Sequence, residues 1–309
     1  MGISMIRQET ESDQMNAFKT YHPIVNFVYF IFVIGFSCVF MNPVCLCISL
    51  FCAFTYSVML KGKKAVQTNL IYMIPTMLFA ALMNPALNHE GITIIAYFPS
   101  GNPLTLESVA YGIAAAIMIV TVICWFSCYT DIMTSDKFIY LFGRVLPSLS
   151  LILSMTLRFV PRFSAQLKTV ANAQRCMGRD ISNGSIVQRA KHGLSILSVM
   201  TTWALENAIE TADSMKSRGY GYPGRTAFSI FPFDKRDKKA LLCIMILGLY
   251  TLAGKLVGAM HFRFFPSMQI NAFSIFGLSV LIAYIALCIY PIVIELREVR
   301  KWEAIKLKI

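Results

Sequence analysis

Apolar residues in this 309-residue chain collect into long blocks separated by short polar breaks. A helix rises 1.5 Å per residue, so about 20 mostly apolar residues are required to cross a hydrocarbon layer about 30 Å thick. Six blocks approach or meet that length, at residues 22–40, 44–60, 66–83, 106–127, 240–260 and 272–294. Asn42 with Pro43 marks a tight turn between the first two. Asn84 with Pro85 is expected to close the third, because the residue before a proline is pushed away from helical backbone angles. The first four blocks therefore pair into two hairpins. Residues 84–105 hold Pro85, Gly91, Pro99, Gly101, Asn102 and Pro103 without a single Lys or Arg, and read as a loop.

The interval between the fourth and fifth blocks has a different pattern. Its most apolar piece, residues 145–157, is bounded by Arg144 and Arg158, each costing about 2.5–3.5 kcal/mol at mid-bilayer. A buried or partly inserted helix is expected there, too short for a full span. Two amphipathic helices should follow. In the first, Phe163, Leu167, Val170, Ala171 and Gln174 share a face, Arg162, Gln166, Lys168 and Asn172 lie off it, and Gly178 is the expected end. In the second, Ile196, Val199, Met200, Trp203, Ala208, Ile209, Ala212 and Met215 form the stripe, opposite Glu206, Glu210, Asp213 and Lys216. Gly219 is placed to terminate it in the left-handed conformation that only glycine adopts freely.

Composition sharpens the class. The chain is 56% hydrophobic and 14% charged, against about 25% charge in soluble domains, which excludes an ordinary soluble fold. The net charge of +12 is compatible with nucleic acid, anionic lipid or cytoplasmic loops, and position decides among them. Lys61, Lys63 and Lys64 follow the second block, Arg297, Arg300, Lys301, Lys306 and Lys308 follow the last, and 16 of the 28 basic residues fall within residues 129–239. Arg263 is the only basic residue in the three expected outer loops. Basic residues beside spans are retained on the cytoplasmic side, so both termini and the middle region are expected there, without a nucleic-acid partner. Residues 1–20 lack the pattern of a signal peptide, and the first block is expected to remain in the protein.

Candidate chemistry is sparse. Most of the nine cysteines lie in apolar runs and predict packing rather than disulfides, with Cys45, Cys47 and Cys52 as a weak soft-metal candidate. His22, His89, His192 and His261 are scattered and form no metal motif. Gly219, Gly221 and Gly224 satisfy GxGxxG but follow a helix, and Gly248, Gly254 and Lys255 have the wrong spacing for a phosphate loop. No acidic residue falls within the span cores, as an ion-coupled carrier would require. The residues describe a mechanical part, with neither a catalytic centre nor a cofactor.

The two glycine-ended helices share a local frame. The second closes with ADSMKSRGYG (residues 212–221), the first with ANAQRCMGRD (residues 171–180), and LSLILSMTLRFVPRF (residues 149–163) leads into them. These segments, with the hairpins before them, resemble the energy-coupling factor transporter T component, the family that includes the CbiQ type. In that family two cytoplasmic coupling helices each finish in Ala-Arg-Gly or Ser-Arg-Gly. Ser217, Arg218 and Gly219 match. At the first helix Cys176, Met177 and Gly178 stand in that frame, so the arginine is a methionine; either Arg175 or Arg179 takes its role or the contact is lost.

The resemblance implies a non-catalytic coupling subunit of an ABC importer for vitamin or metal-ion uptake. Its partners would be two ABC-type ATPase subunits and a small substrate-binding membrane (S) subunit, within the lipid bilayer of the cell membrane. Ser217, Arg218 and Gly219 would anchor one ATPase, and Arg175, Cys176, Met177, Gly178 and Arg179 the other. The expected fold is an all-α polytopic membrane protein of about six transmembrane helices plus cytoplasmic amphipathic coupling helices. Residues 1–309 would form one membrane domain, with N-terminal spans at 22–128, the coupling region at 129–239, a C-terminal hairpin at 240–294 and a tail at 295–309. From the residues alone, the alternative is a polytopic enzyme acting on lipid or prenyl substrates, its basic region attracting phosphates, although the sequence lacks the acidic pairs such an enzyme uses.

Overall fold

Side-chain caps start three of the apolar helices where the sequence supplies them. His22 Nδ1 accepts from Ile24 N at 3.2 Å and Asn42 Oδ1 from Val44 N at 3.0 Å, each ahead of a proline in the first helical turn. Thr105 Oγ1 accepts from Ser108 N at 3.3 Å. The structure, a computed structural model, describes residues 16–88, 90–97, 103–143, 146–179, 185–222, 231–260, 262–266, 269–270 and 274–306. A 3-10 turn, Ala17–Thr20, precedes nine α-helices among these residues. They are α1 (Pro23–Val39), α2 (Pro43–Lys61), α3 (Lys63–Leu87), α4 (Leu106–Ile132), α5 (Ser135–Gly143), α6 (Pro147–Cys176), α7 (Ile186–Ser217), α8 (Lys235–Leu256) and α9 (Ile275–Lys306).

Among the described residues, five helices are long and apolar enough to cross a membrane: α2, α3 over Asn69–Leu87, α4, α8, and α9 over Ile275–Trp302. The apolar α1 has 17 residues, about 25 Å of helix, somewhat short of a 30 Å layer. The chain is an all-α polytopic membrane protein.

Several boundaries differ from the sequence expectation. Helix α3 does not close at Asn84 and Pro85 but runs on to Leu87. Pro85 leaves the carbonyl of Ala81 without its helical donor, and α4 packs onto that carbonyl at Gly112, where a Cβ would come within 2.8 Å of the oxygen. Asn84 Nδ2 also donates to Ser108 O at 2.8 Å, tying the late turn of α3 to α4. Tertiary packing thus outweighs the local preference. The apolar piece at residues 145–157 and the first amphipathic segment are one 30-residue helix, α6, continuous through Pro161. Leu149, Ile152, Leu153 and Leu157 are exposed rather than buried within the chain, as the partly inserted alternative would have them. Two antiparallel ribbons lie between helices, β1 (Ile94–Tyr97) with β2 (Pro103–Thr105) and β3 (Phe262–Arg263) with β4 (Gln269–Ile270). Glu107 braces the first loop, accepting from Thr93 Oγ1 at 2.9 Å.

The chain divides into two compact units, Met1–Phe138 with Phe231–Ile309, and Ile139–Ile230. In the first, the core centres on Trp125, fully buried, with Tyr29 and Phe30 edge-on at 6.1 and 6.4 Å. Its Nε1 donates to Ser49 Oγ at 3.0 Å, and Ser49 meets Ser37 Oγ at 2.9 Å. Asn69 Nδ2 donates to Ser57 Oγ at 2.9 Å. Such bonds supply cohesion where lipid removes the hydrophobic drive between helices. Small residues do the same: at Gly254 a Cβ would fall 2.4 Å from Val280 Cγ2, which brings α8 and α9 close. Cys45, Cys52, Cys124, Cys128 and Cys288 are buried free thiols, whereas Cys47 is exposed. No group of three or more metal-ligating side chains is assembled among the described residues.

Candidate functional site: two glycine-ended helices

The second unit is built around α6 and α7, of 30 and 32 residues, or about 45 and 48 Å of helix. Ser185 starts α7 with a reciprocal capping box: its Oγ accepts from Gln188 N at 3.4 Å while its own N–H donates to Gln188 Oε1 at 3.2 Å. The S-x-x-Q spacing at residues 185–188 is visible in the sequence and marks this start, seven residues after Gly178.

The helices meet at an aromatic contact. Phe163 of α6 lies edge-on to Trp203 of α7 at 5.1 Å, and the Arg162 guanidinium stands over the same indole at 5.9 Å, a cation–π arrangement. Ile196 and Met200 are the buried residues of α7. An apolar groove of about 730 Å³ runs between the helices, bordered by Leu167, Leu197, Ala204 and Leu205.

Both helices end the same way. At α6, Gly178 has φ +75°, its N–H donates to Arg175 O at 3.0 Å, and Arg179 N donates to Gln174 O at 2.9 Å. At α7, Gly219 has φ +79°, its N–H donates to Lys216 O at 2.9 Å, and Tyr220 N donates to Met215 O at 3.0 Å. This pair of bonds closing on a left-handed glycine is the Schellman motif. Each tip therefore presents its residues in matching positions. Cys176 and Ser217 close the helices, Met177 and Arg218 occupy the caps, and Gly178 and Gly219 make the turns. Arg175 falls one residue inside the helix end and Arg179 just after the glycine, so neither stands where Arg218 does. The side chains of Arg175, Cys176, Met177, Arg179, Ser217 and Arg218 are all exposed. At a helix end carrying about half a negative charge, the Arg218 guanidinium is favoured, and its planar fork is suited to a carboxylate on a partner.

The contact point lies midway along this geometry. Fifteen residues separate Phe163 from Gly178 and sixteen separate Trp203 from Gly219, about 23 and 24 Å of helix. Cys176 and Ile186 are ten residues apart, a link that spans at most about 35 Å. Parallel helices would need to bridge about 45 Å, so α6 and α7 run back across one another. The two glycine tips consequently point away from each other across the crossing. The aromatic crossing escaped the sequence reading as a contact, although Phe163 and Trp203 were both assigned to apolar stripes.

This arrangement presents two tips on a polytopic membrane protein. Residues 16–228, more than half of the chain, match the family model CbiQ, described as "Cobalt transport protein". That match defines the class as a membrane transport component. The chain belongs to the CbiQ family. It is also similar to proteins named "Energy-coupling factor transporter transmembrane protein EcfT". The one from Lactobacillus helveticus (strain DPC 4571) is 37% identical over 103 residues, covering 33% of this chain and 37% of the relative. The one from Streptococcus equi subsp. equi (strain 4047) is 31% identical over 103 residues, covering 33% and 38%. The one from Bacillus selenitireducens (strain ATCC 700615 / DSM 15326 / MLS10) is 31% identical over 111 residues, covering 36% and 41%. The matched part of the chain thus spans about two fifths of these relatives' length.

Proposed function

We propose that the chain is the transmembrane coupling subunit of an energy-coupling factor importer. It would pass ATP-driven motion from two ABC-type ATPase subunits to a small substrate-binding membrane subunit, for uptake of a vitamin or metal ion. The observation that carries this reading is the repeated ending of α6 and α7: two long crossing helices, each finished by a Schellman glycine next to an exposed cap residue. Helices ended in this way present short, rigid tips, and tips held well apart suit two separate sockets better than one. The distribution of Lys and Arg supports placing both tips and both termini on the cytoplasmic side of the cell membrane, where ATP is available. Ser217, Arg218 and Gly219 seat in one ATPase, and Cys176, Met177 and Gly178, flanked by Arg175 and Arg179, in the other. The apolar groove between α6 and α7 is the surface on which the substrate-binding subunit rests. The chain itself is non-catalytic in this reading, with ATP hydrolysed by its partners.

The test is charge reversal at the matched tip. Arg218→Glu removes a charge-assisted bond worth about 1.5–3 kcal/mol and should weaken association with the ATPases by about 10- to 100-fold, with ATP-driven uptake falling alongside. Undiminished co-purification and uptake by this variant would refute the assignment.

A further inference from the structure

The second unit begins at Ile139 and ends at Ile230, so the chain leaves the first unit after Phe138 and returns to it at Phe231. Residues 17–22 grip the chain beside both junctions. Next to the first, Lys137 of α5 is buried at 5% exposure and its ammonium donates to Lys19 O. Asn26 completes that contact, its amide nitrogen donating to Phe18 O at 3.1 Å and its oxygen accepting from Lys137 Nζ at 3.0 Å. Beside the second junction, Phe233 meets the His22 ring edge-on at 4.9 Å. Arg236 of α8 donates to Thr20 Oγ1 at 3.2 Å and to Thr20 O at 3.5 Å, with its guanidinium 4.2 Å from the centre of the Tyr21 ring. Asp237 accepts from His22 N at 3.5 Å.

The strap is anchored in turn. Glu295 of α9, 4% exposed, accepts from Ala17 N at 2.9 Å and from Phe18 N at 3.1 Å. Six consecutive residues therefore join α1, α5, α8 and α9 at the two places where the chain passes between units. Lys137 lies within helix α5, which runs from Ser135 to Gly143. A merely local cap on α1 would call for none of the contacts to Lys137 or Arg236.

We propose that residues 17–22 form a positioning strap that ties the first unit's ends of both junctions to one another and to α9, so that ATP-driven work on the coupling helices is converted into uptake rather than lost as slack; Lys137 and Arg236 are its positioning residues. This rests on the coupling function proposed above. The polar contacts to Lys137 are neutral acceptors, which hold the ammonium in place without a compensating carboxylate. The Arg236 side chain is about half exposed, so its removal spares the core.

The experiment uses the assembled complex in vesicles, comparing wild type, Arg236→Gln, Arg236→Lys and Lys137→Met for ATPase co-purification, ATP hydrolysis and substrate taken up per ATP. Expected are co-purification and hydrolysis within about twofold of wild type, with uptake per ATP reduced fivefold or more in Arg236→Gln and Lys137→Met. Arg236→Lys, which retains the cation over Tyr21, should recover part of the loss. Unchanged uptake per ATP in Arg236→Gln overturns the proposal, and does so even if Lys137→Met fails to accumulate. Failure of the unmodified chain to capture ATPases would instead overturn the coupling function itself, which separates the two claims.

Discussion

Replacement of Gly219 isolates the contribution of the tip's backbone shape. A Cβ added there meets Tyr222 Cδ2 at 3.6 Å, an ordinary contact, so alanine would fit by volume. The obstacle is conformational: at φ +79° an L-residue other than glycine costs about 1–2 kcal/mol. If the ATPase recognises Arg218 on the closed turn, that energy is taken from binding, and Gly219→Ala should raise the dissociation constant about 5- to 30-fold. Asparagine, which tolerates this region, should cost less, and valine, branched at Cβ, should cost more. The measurement is a titration of the detergent-purified chain with the partner ATPases, with far-UV circular dichroism confirming that helix content is unchanged. Because the tip is exposed, thermal stability should barely move. An affinity for Gly219→Ala equal to wild type, or a weaker affinity for asparagine than for alanine, would refute the claim that the left-handed turn is what the partner reads. Gly178 offers the internal comparison, since an added Cβ there meets nothing within 4 Å; the ratio of the two alanine effects reports how much the tip capped by Met177 contributes.

Three further outcomes follow from the same contacts. Glu295→Ala strips the acceptor from the N–H groups of Ala17 and Phe18; at about 1–3 kcal/mol per orphaned buried donor, it should lower the melting temperature in detergent markedly, and an unchanged melting temperature would show the strap is not held there. Met177→Arg restores the residue type found at Arg218 and should maintain or strengthen ATPase capture, whereas complete loss of assembly would contradict a weakened contact at that tip. Burial, with the nearby Lys19 charge, pushes the Lys137 ammonium down from its ordinary 10.5 to about 8. Between those values the unfolded chain binds more protons, so stability attributable to this group rises with pH from about 8 to 10.5 and is flat below. Thermal melts of wild type against Lys137→Met across that interval should show the wild type gaining on the variant, and parallel pH profiles would refute the shift.

The span positions and both helix tips were legible because their causes are local. Twenty apolar residues need no tertiary information to declare a membrane helix, and a left-handed glycine after an amphipathic run is a property of its own backbone. What escaped is what depends on a distant neighbour. Pro85 reads as a stop until Gly112 is seen against the Ala81 carbonyl, and residues 145–157 read as a piece apart from the amphipathic run although α6 carries both. Glu295 looks like the start of a charged tail, yet its carboxylate is committed to amides 277 and 278 positions earlier in the chain. Lys137 was counted among sixteen basic residues of one region, and the fold buries it beneath Lys19 and Asn26. Six residues are too few to show a periodicity, so the strap had no pattern by which to be found.

The crossing at Phe163 and Trp203 has a mechanical corollary. Under the coupling function proposed above, the reaches from this crossing to the two tips, matched to within one residue, would set two partner sockets at equal distances from it. A single turn inserted on one side, about 5.4 Å, would carry that tip beyond its socket while its counterpart stayed seated.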